Sequence, residues 1–173
     1  VVQLREKEAS SRELFELAKR VKRVTDKYYV PLIINDRLDI CLAVDAAGVH
    51  LGQTDLPCSE ARRILGAEKI IGVSAATPEE AAKAQSDGAD YLGVGAVFAT
   101  STKTNTRPVT AETIRAIRSA VDIPFVVIGG VNSENISGLH GLGINGAAVI
   151  SAIISQPDIT AAARKMRQAA ERL

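Results

Sequence analysis

Seven short apolar runs punctuate this chain, and a segment with helical spacing follows each of them. The runs are apolar at nearly every position, the pattern of strands covered on both faces. Such strands alternating with amphipathic helices specify an α/β fold with a parallel sheet, because parallel neighbours need a crossover connection. The runs cover Val1 to about Arg5, Pro31–Asn35, Gly48–Gly52, Lys69–Ser74, Tyr91–Phe98, Pro124–Ile128 and Gly146–Ile150. The helical segments are about Ser10–Tyr28, Arg37–Asp45, Pro57–Leu65, Pro78–Ser86, Thr110 to about Val121, Glu134 to about Leu142, and Pro157–Leu173. Ser10 or Ser11, Thr77 and Thr110 are the expected N-caps, and Gly66 and Gly88 the expected stops. In the first helix Leu14, Leu17, Ala18, Val21 and Tyr28 fall on one stripe. In the last, Ile159, Ala162, Met166, Ala170 and Leu173 do so.

Two architectures fit this order of elements. One is a doubly wound open sheet; the other is a TIM-type (β/α)8 barrel of which seven βα units lie in this chain, residues 1–173 forming one domain. No GxGxxG opens the first strand–helix turn. The charge is nearly balanced, 21 basic against 20 acidic side chains, which argues against nucleic acid or an anionic membrane as partner. No apolar run approaches the roughly 18 residues of a membrane span. The two cysteines, Cys41 and Cys58, have no metal spacing and imply no disulfide framework, so the expected compartment is a reducing cytoplasm. Both read as small hydrophobes.

The placement of polar residues chooses between the architectures. Nearly every run ends in polar side chains or glycine. The first leads to Gln3, Arg5 and Lys7, on one side if the strand continues. The second leads to Asn35 and Asp36, the third to Gln53 and Asp55, and the fourth to Ser74. The fifth leads to Thr100, Thr102 and Lys103, the sixth to Gly129 and Gly130, and the seventh to Ser151. Contributions from all seven strand ends favour a barrel, whose active site is built on that rim. Gly129-Gly130 and Ile150-Ser151 follow the last two strands, where barrels bind phosphate through backbone amides. Asp36 and Asp55 are hard oxygen ligands suited to Mg2+ shared with a phosphate-bearing substrate. Arg5, Lys7 and Lys103 add positive charge. A pyrophosphate together with a monophosphate would fit the set. Plainer readings stand beside these: Asp36 as the cap of the next helix, Asp55 as a turn residue, Ser74 as a strand end, Gly129-Gly130 as an ordinary turn, His50 as a packed histidine and His140 as a surface one. Residues 99–109, rich in Thr, Ser, Lys and Asn, read as a mobile loop.

The same residues closely resemble the thiamin phosphate synthase family. The resemblance rests on Val2-Gln-Leu-Arg-Glu-Lys7, Ile33-Ile-Asn-Asp-Arg37, Gly48-Val-His-Leu-Gly-Gln53 with Asp55, Gly72-Val-Ser74, Thr100-Ser-Thr-Lys103, Ile128-Gly-Gly130 and Val149-Ile-Ser151. It implies an enzyme that joins a hydroxymethylpyrimidine diphosphate to a thiazole phosphate and releases pyrophosphate by a dissociative route. It further implies that Gln3, Leu4, Arg5, Glu6 and Lys7, with Asn35, Ser74 and Lys103, hold the pyrimidine diphosphate, and that Arg5, Lys7, Ser74 and Lys103 are catalytic. Asp36 and Asp55 would bind Mg2+. Thr100, Ser101, Thr102, Gly130, Ile150 and Ser151 would hold the thiazole phosphate.

Some positions depart from the family pattern. Thr54 stands where Glu is common, Ala75-Ala76 where Thr-His is common, and Ala99 where Pro is common. The resemblance also implies a further strand and helix ahead of Val2, so the expectation is an N-terminally incomplete barrel. Three rivals remain: a thiazole tautomerase of the same fold, an inactive barrel fragment, and another phosphate-binding barrel enzyme. The carboxylate pair and the Thr-x-Thr-Lys run favour the synthase, since a tautomerase has no pyrophosphate to hold. The expected partners are these small-molecule substrates, with room for a homo-oligomer.

Overall fold

The computed structural model describes residues 1–99, 108–171 and 173. The chain divides into two compact units, Val1–Val73 with Ser86–Asp90, and Ser74–Gln85 with Tyr91–Leu173.

The first unit contains β1 (Val2–Leu4), α1 (Ser11–Lys27), β2 (Leu32–Asn35), α2 (Leu38–Ala43), β3 (Gly48–Leu51), α3 (Cys58–Leu65) and the opening residues of β4 (Ile70–Ala75). Its strands pair in parallel, each beside its successor, with Gln3 opposite Ile33, Ile34 opposite Val49 and Val49 opposite Ile71. A doubly wound sheet would reverse this order at a switch point; none occurs here. Because the pairing is parallel, the residues that follow β1, β2 and β3 leave the sheet at the same end. Ile33, Ile34, Val49, Leu51 and Ile71 are almost wholly buried, with Leu14 and Ala18 of α1 and Ala61 of α3. Each large apolar side chain contributes about 2 kcal/mol by leaving water.

Helix α1 begins in a capping box. The Ser10 hydroxyl accepts from the Glu13 amide, and the Glu13 carboxylate accepts from the Ser10 amide at 2.9 Å. Its buried stripe is Leu14, Ala18 and Thr25. Tyr28 does not join it, because the helix ends at Lys27 and Tyr29 turns left-handed with φ 54°. Tyr28 is 65% exposed. Arg62 of α3 ties the unit together. Its guanidinium donates to the carbonyls of Gly66, Lys69 and Gly88 and to Asp90, and the same Asp90 oxygen accepts from the Ile71 amide.

The second unit contains α4 (Pro78–Ser86) as far as Gln85, β5 (Tyr91–Gly95), α5 (Ala111–Ala120), β6 (Phe125–Ile128), β7 (Gly146–Ala148), α6 (Ser151–Ile154) and α7 (Ile159–Ala170). Here too the strands are parallel and sequential, with Leu92 opposite Phe125 and Val127 opposite Ala147. Leu92, Val94, Phe125, Val127, Ile114 and Ile117 form the core. The hydroxyls of Thr77 and Thr110 accept from the amides of Glu80 and Thr113, as expected of caps. The helix expected over 134–142 is reduced to a 3₁₀ turn, Ile136–Leu139. Gly138, Gly141 and Gly143 account for this, the last two with φ 73° and 74°. Helix α6 is an element the sequence pattern did not predict. Strands β1, β5 and β7 end at Leu4, Gly95 and Ala148, earlier than expected. In α7 only Met166 is buried, and Ile159 is exposed. Among the described residues no helix is long and apolar enough to cross a membrane.

Candidate active site

In the first unit the residues beyond β1, β2 and β3 meet. Strand β1 stops at Leu4, so Arg5 and Lys7 are placed by the loop and not by strand alternation. The Lys7 ammonium reaches Asp36, Nζ to Oδ2 3.0 Å. Asp36 follows β2 directly, with a left-handed φ of 61°. Its amide donates to the His50 carbonyl of β3 at 2.8 Å. It does not cap α2: Arg37 occupies the N-cap position, and its side chain makes no capping hydrogen bond. Asp55 lies in the turn after β3, where Oδ2 accepts from the Gly52 amide at 2.6 Å. The turn reading of Asp55 is therefore correct, and its carboxyl lies beside that of Asp36. His50 itself is buried.

The two carboxyls are driven apart in acidity. Burial works to raise the pKa of each. At Asp36 the hydrogen bond and charge of Lys7, with the charge of Arg5, overcome burial and hold the group below its ordinary value. At Asp55 the Gly52 amide opposes burial, but the neighbouring Asp36 charge adds to it, and the net shift is upward. Two hard oxygen donors in mutual repulsion are what a bound divalent cation relieves. Among the described residues no group of three or more His, Cys, Asp or Glu forms an all-protein cage. A divalent cation at the pair would have to draw its remaining ligands from outside these two side chains.

In the second unit the loop after β6 is tightly specified. Gly129 and Gly130 have φ 99° and 65°. A Cβ on Gly130 would lie 2.5 Å from the Ala99 carbonyl oxygen and 2.8 Å from the Phe98 Cβ. The Gly129 carbonyl accepts from the Phe98 amide at 3.1 Å. The Gly130 carbonyl accepts from the Asn135 side chain, Nδ2 to O 2.9 Å. Asn135 Oδ1 accepts from the Asn132 amide, while Asn132 Oδ1 accepts from the amides of Glu134 and Asn135. Sequence reasoning found the two glycines and missed Asn132 and Asn135. The available signal was only local: an Asn side chain often hydrogen-bonds backbone two residues on, as Asn132 does to the Glu134 amide.

The remaining predicted residues are placed as follows. Gln3 and Leu4 lie in β1, opposite Ile33 and Ile34. Glu6 bonds its own loop, its carboxylate accepting from the Glu8 amide. Asn35 is the last residue of β2 and is half-buried. Ser74 lies within β4, which runs one residue further to Ala75. Ile150 precedes α6 and is 39% exposed, and Ser151 is the first residue of that helix. Thr100, Ser101, Thr102 and Lys103 lie outside the described residues, as does most of the 99–109 loop.

A family model described as thiamine monophosphate synthase matches residues 1–153. The chain belongs to that family. It is 58% identical over 166 residues to a thiamine-phosphate synthase of Ruminiclostridium cellulolyticum, covering 96% of this chain and 79% of that protein. A Clostridium botulinum thiamine-phosphate synthase is 51% identical over 173 residues, covering 100% of this chain and 81% of the relative. The solved thiamine phosphate pyrophosphorylase of Pyrococcus furiosus superposes with a TM-score of 0.89 at 40% identity, over 98% of this chain and 81% of that one. As a member of the thiamine monophosphate synthase family the chain has the (β/α) barrel class of fold, with seven strands among the described residues. The sequential parallel strands of each unit agree with that class.

Proposed function

We propose that this chain is a thiamine-phosphate synthase. It is a transferase that condenses 4-amino-2-methyl-5-(diphosphooxymethyl)pyrimidine with thiazole phosphate and releases pyrophosphate. The observation that carries the reading is the match to synthases at 51–58% identity over nearly the whole chain. The Lys7–Asp36–Asp55 cluster supports it, because a diphosphate leaving group needs cations and hard-metal ligands, not a nucleophile.

In this reading Asp36 and Asp55 hold Mg2+, which when bound neutralises charge on the departing diphosphate. Lys7 and Arg5 add charge beside it and, with Gln3, Leu4, Glu6, Asn35, Ser74 and Lys103, bind the pyrimidine diphosphate. Lys103 and Ser74 take the catalytic roles that the family resemblance assigns. The bond between the pyrimidine methylene and the diphosphate oxygen breaks, and the electron pair leaves with pyrophosphate. The thiazole nitrogen then donates its lone pair to the methylene carbon, forming the new C–N bond. Thr100, Ser101, Thr102, Gly130, Ile150 and Ser151 hold the thiazole phosphate and so orient that nitrogen. A cytoplasmic location is part of the proposal, in keeping with the free thiols of Cys41 and Cys58.

The test is turnover of the two phosphorylated precursors with and without Mg2+, following pyrophosphate. Metal-dependent thiamin phosphate formation is expected. Isomerisation of a thiazole precursor without pyrophosphate release would overturn the reading.

A further inference from the structure

Backbone amides bind an anion well only if their peptide planes are held in place. In a trans peptide the carbonyl and the following N–H point in opposite directions. Fixing a carbonyl on one side therefore aims the next amide to the other. Two such fixings occur in succession after β6. The Phe98 amide holds the Gly129 carbonyl, which aims the Gly130 N–H. The Asn135 carboxamide holds the Gly130 carbonyl, which aims the Val131 N–H. The first restraint comes from backbone; the second depends on one side chain.

Asn135 is itself restrained. Its Oδ1 accepts from the Asn132 amide at 2.9 Å, and its own amide donates to Asn132 Oδ1 at 3.1 Å. The carboxamide thus has both ends engaged, one on Asn132 and one on Gly130, and is half-buried. With φ 65°, Gly130 lies in a backbone region that glycine enters freely, so local preference alone does not fix this plane.

We propose that Asn135 is the positioning residue of the phosphate site. By holding the Gly130 carbonyl it aims the Val131 amide as a second backbone donor to a phosphate monoester, and Asn132 holds Asn135 in that pose. The proposal rests on the synthase reading for the identity of the ligand, the thiazole phosphate, but not for the geometry.

The test uses the neutral variants Asn135→Ala and Asn135→Ser, Asn132→Ala, and the double variant Asn132→Ala/Asn135→Ala. Steady-state kinetics are measured for each substrate separately, with inorganic phosphate binding and a melting curve for each chain. In both Asn135 variants the KM for thiazole phosphate should rise about tenfold, the effect of one lost hydrogen bond to an anion site. The KM for the pyrimidine diphosphate and the kcat at saturation should stay within about twofold. Inorganic phosphate should bind more weakly by a factor like that on thiazole phosphate. The double variant should be no worse than Asn135→Ala, since both side chains act through one linkage. A thiazole phosphate KM within twofold of wild type in a folded variant would overturn the proposal, as would an equal rise in both KM values. Should Asn135→Ala fail to fold, the Ser variant decides by the same criteria. A wild-type chain that makes no thiamin phosphate, yet binds inorganic phosphate in an Asn135-dependent way, would overturn the synthase reading and uphold this one.

Discussion

The Lys7 ammonium stands 3.0 Å from the Asp36 carboxylate, joining the loop beyond β1 to the residue that follows β2. Half of the Lys7 side chain remains exposed, so the pair adds little to stability, in line with the usual worth of such ion pairs. Its value is charge placed beside a pair of carboxyls. Lys7→Gln should lower kcat/KM for the pyrimidine diphosphate about 100-fold, the scale for losing one charge-stabilising group. Lys7→Arg should recover part of it. Steady-state kinetics at saturating thiazole phosphate check this, and a wild-type value for the Gln variant would remove Lys7 from the site.

Asp55→Asn should separate activity from stability. The carboxamide can still accept from the Gly52 amide, but it no longer repels Asp36. In the absence of divalent metal the variant should melt about 1–2 °C higher, as relief of a partly exposed repulsion would give. Its turnover should fall, and the Mg2+ concentration for half-maximal rate should rise. Melting in chelator alongside a Mg2+ titration reads both, and a lower melting temperature would contradict the repulsion argument.

Arg62→Ala should leave the chemistry intact and weaken the fold. It strips the carbonyls of Gly66, Lys69 and Gly88 of a donor and leaves Asp90 without its cation. The expected cost is about 2–3 kcal/mol, or a melting temperature lower by about 5–10 °C. Lys at this position should restore little, because an ammonium cannot reproduce the planar fork. Activity per folded molecule should match wild type.

Gly130→Ala should fail for steric and conformational reasons together. The new methyl would meet backbone oxygen at 2.5 Å, and φ is 65°. A destabilisation of roughly 2–4 kcal/mol is expected, with a thiazole phosphate KM raised in whatever folds. Urea unfolding and kinetics measure the two effects.

Cys41 and Cys58 should be silent to thiol reagents in the native chain. Burial pushes the Cys41 thiol up to about 11, with the Asp45 charge adding to the rise and Lys69 opposing it. Cys41 therefore stays protonated well above neutral pH, and the thiolate needed for reaction is scarce. A colorimetric thiol titration at pH 8 should detect nothing before denaturant is added and both cysteines afterwards. Rapid labelling of the native chain would refute this.

The strand–helix alternation was legible because it rests on apolar content and spacing, and every predicted strand exists. Helix starts at Ser10, Thr77 and Thr110 were legible because caps are local chemistry. What failed was non-local or cumulative. Nothing near Tyr28 announced that a left-handed Tyr29 would turn it away from the stripe. The helix expected over 134–142 holds Gly138 and Gly141 and runs into Gly143, and together these leave only a 3₁₀ turn. Of the site, Asp36, Asp55 and Lys7 are legible in the sequence, but the condition that the strand continue to Lys7 is not met: it stops at Leu4, and the loop delivers Lys7 to Asp36. Asn135 escaped notice because its role depends on a carbonyl whose direction only the folded loop defines.

The left-handed backbone at Asp36 acts as a filter on what can occupy that position. Its φ of 61° is entered most readily by Gly and Asn, at modest cost by Asp, and at greatest cost by β-branched side chains. A negative charge beside Lys7 requires Asp or Glu. Asp satisfies both demands at lower cost than Glu, so drift here has one favoured charged residue. A library randomised at codon 36 and selected for folding should return Gly, Asn and Asp; selected for activity, it should return Asp ahead of Glu.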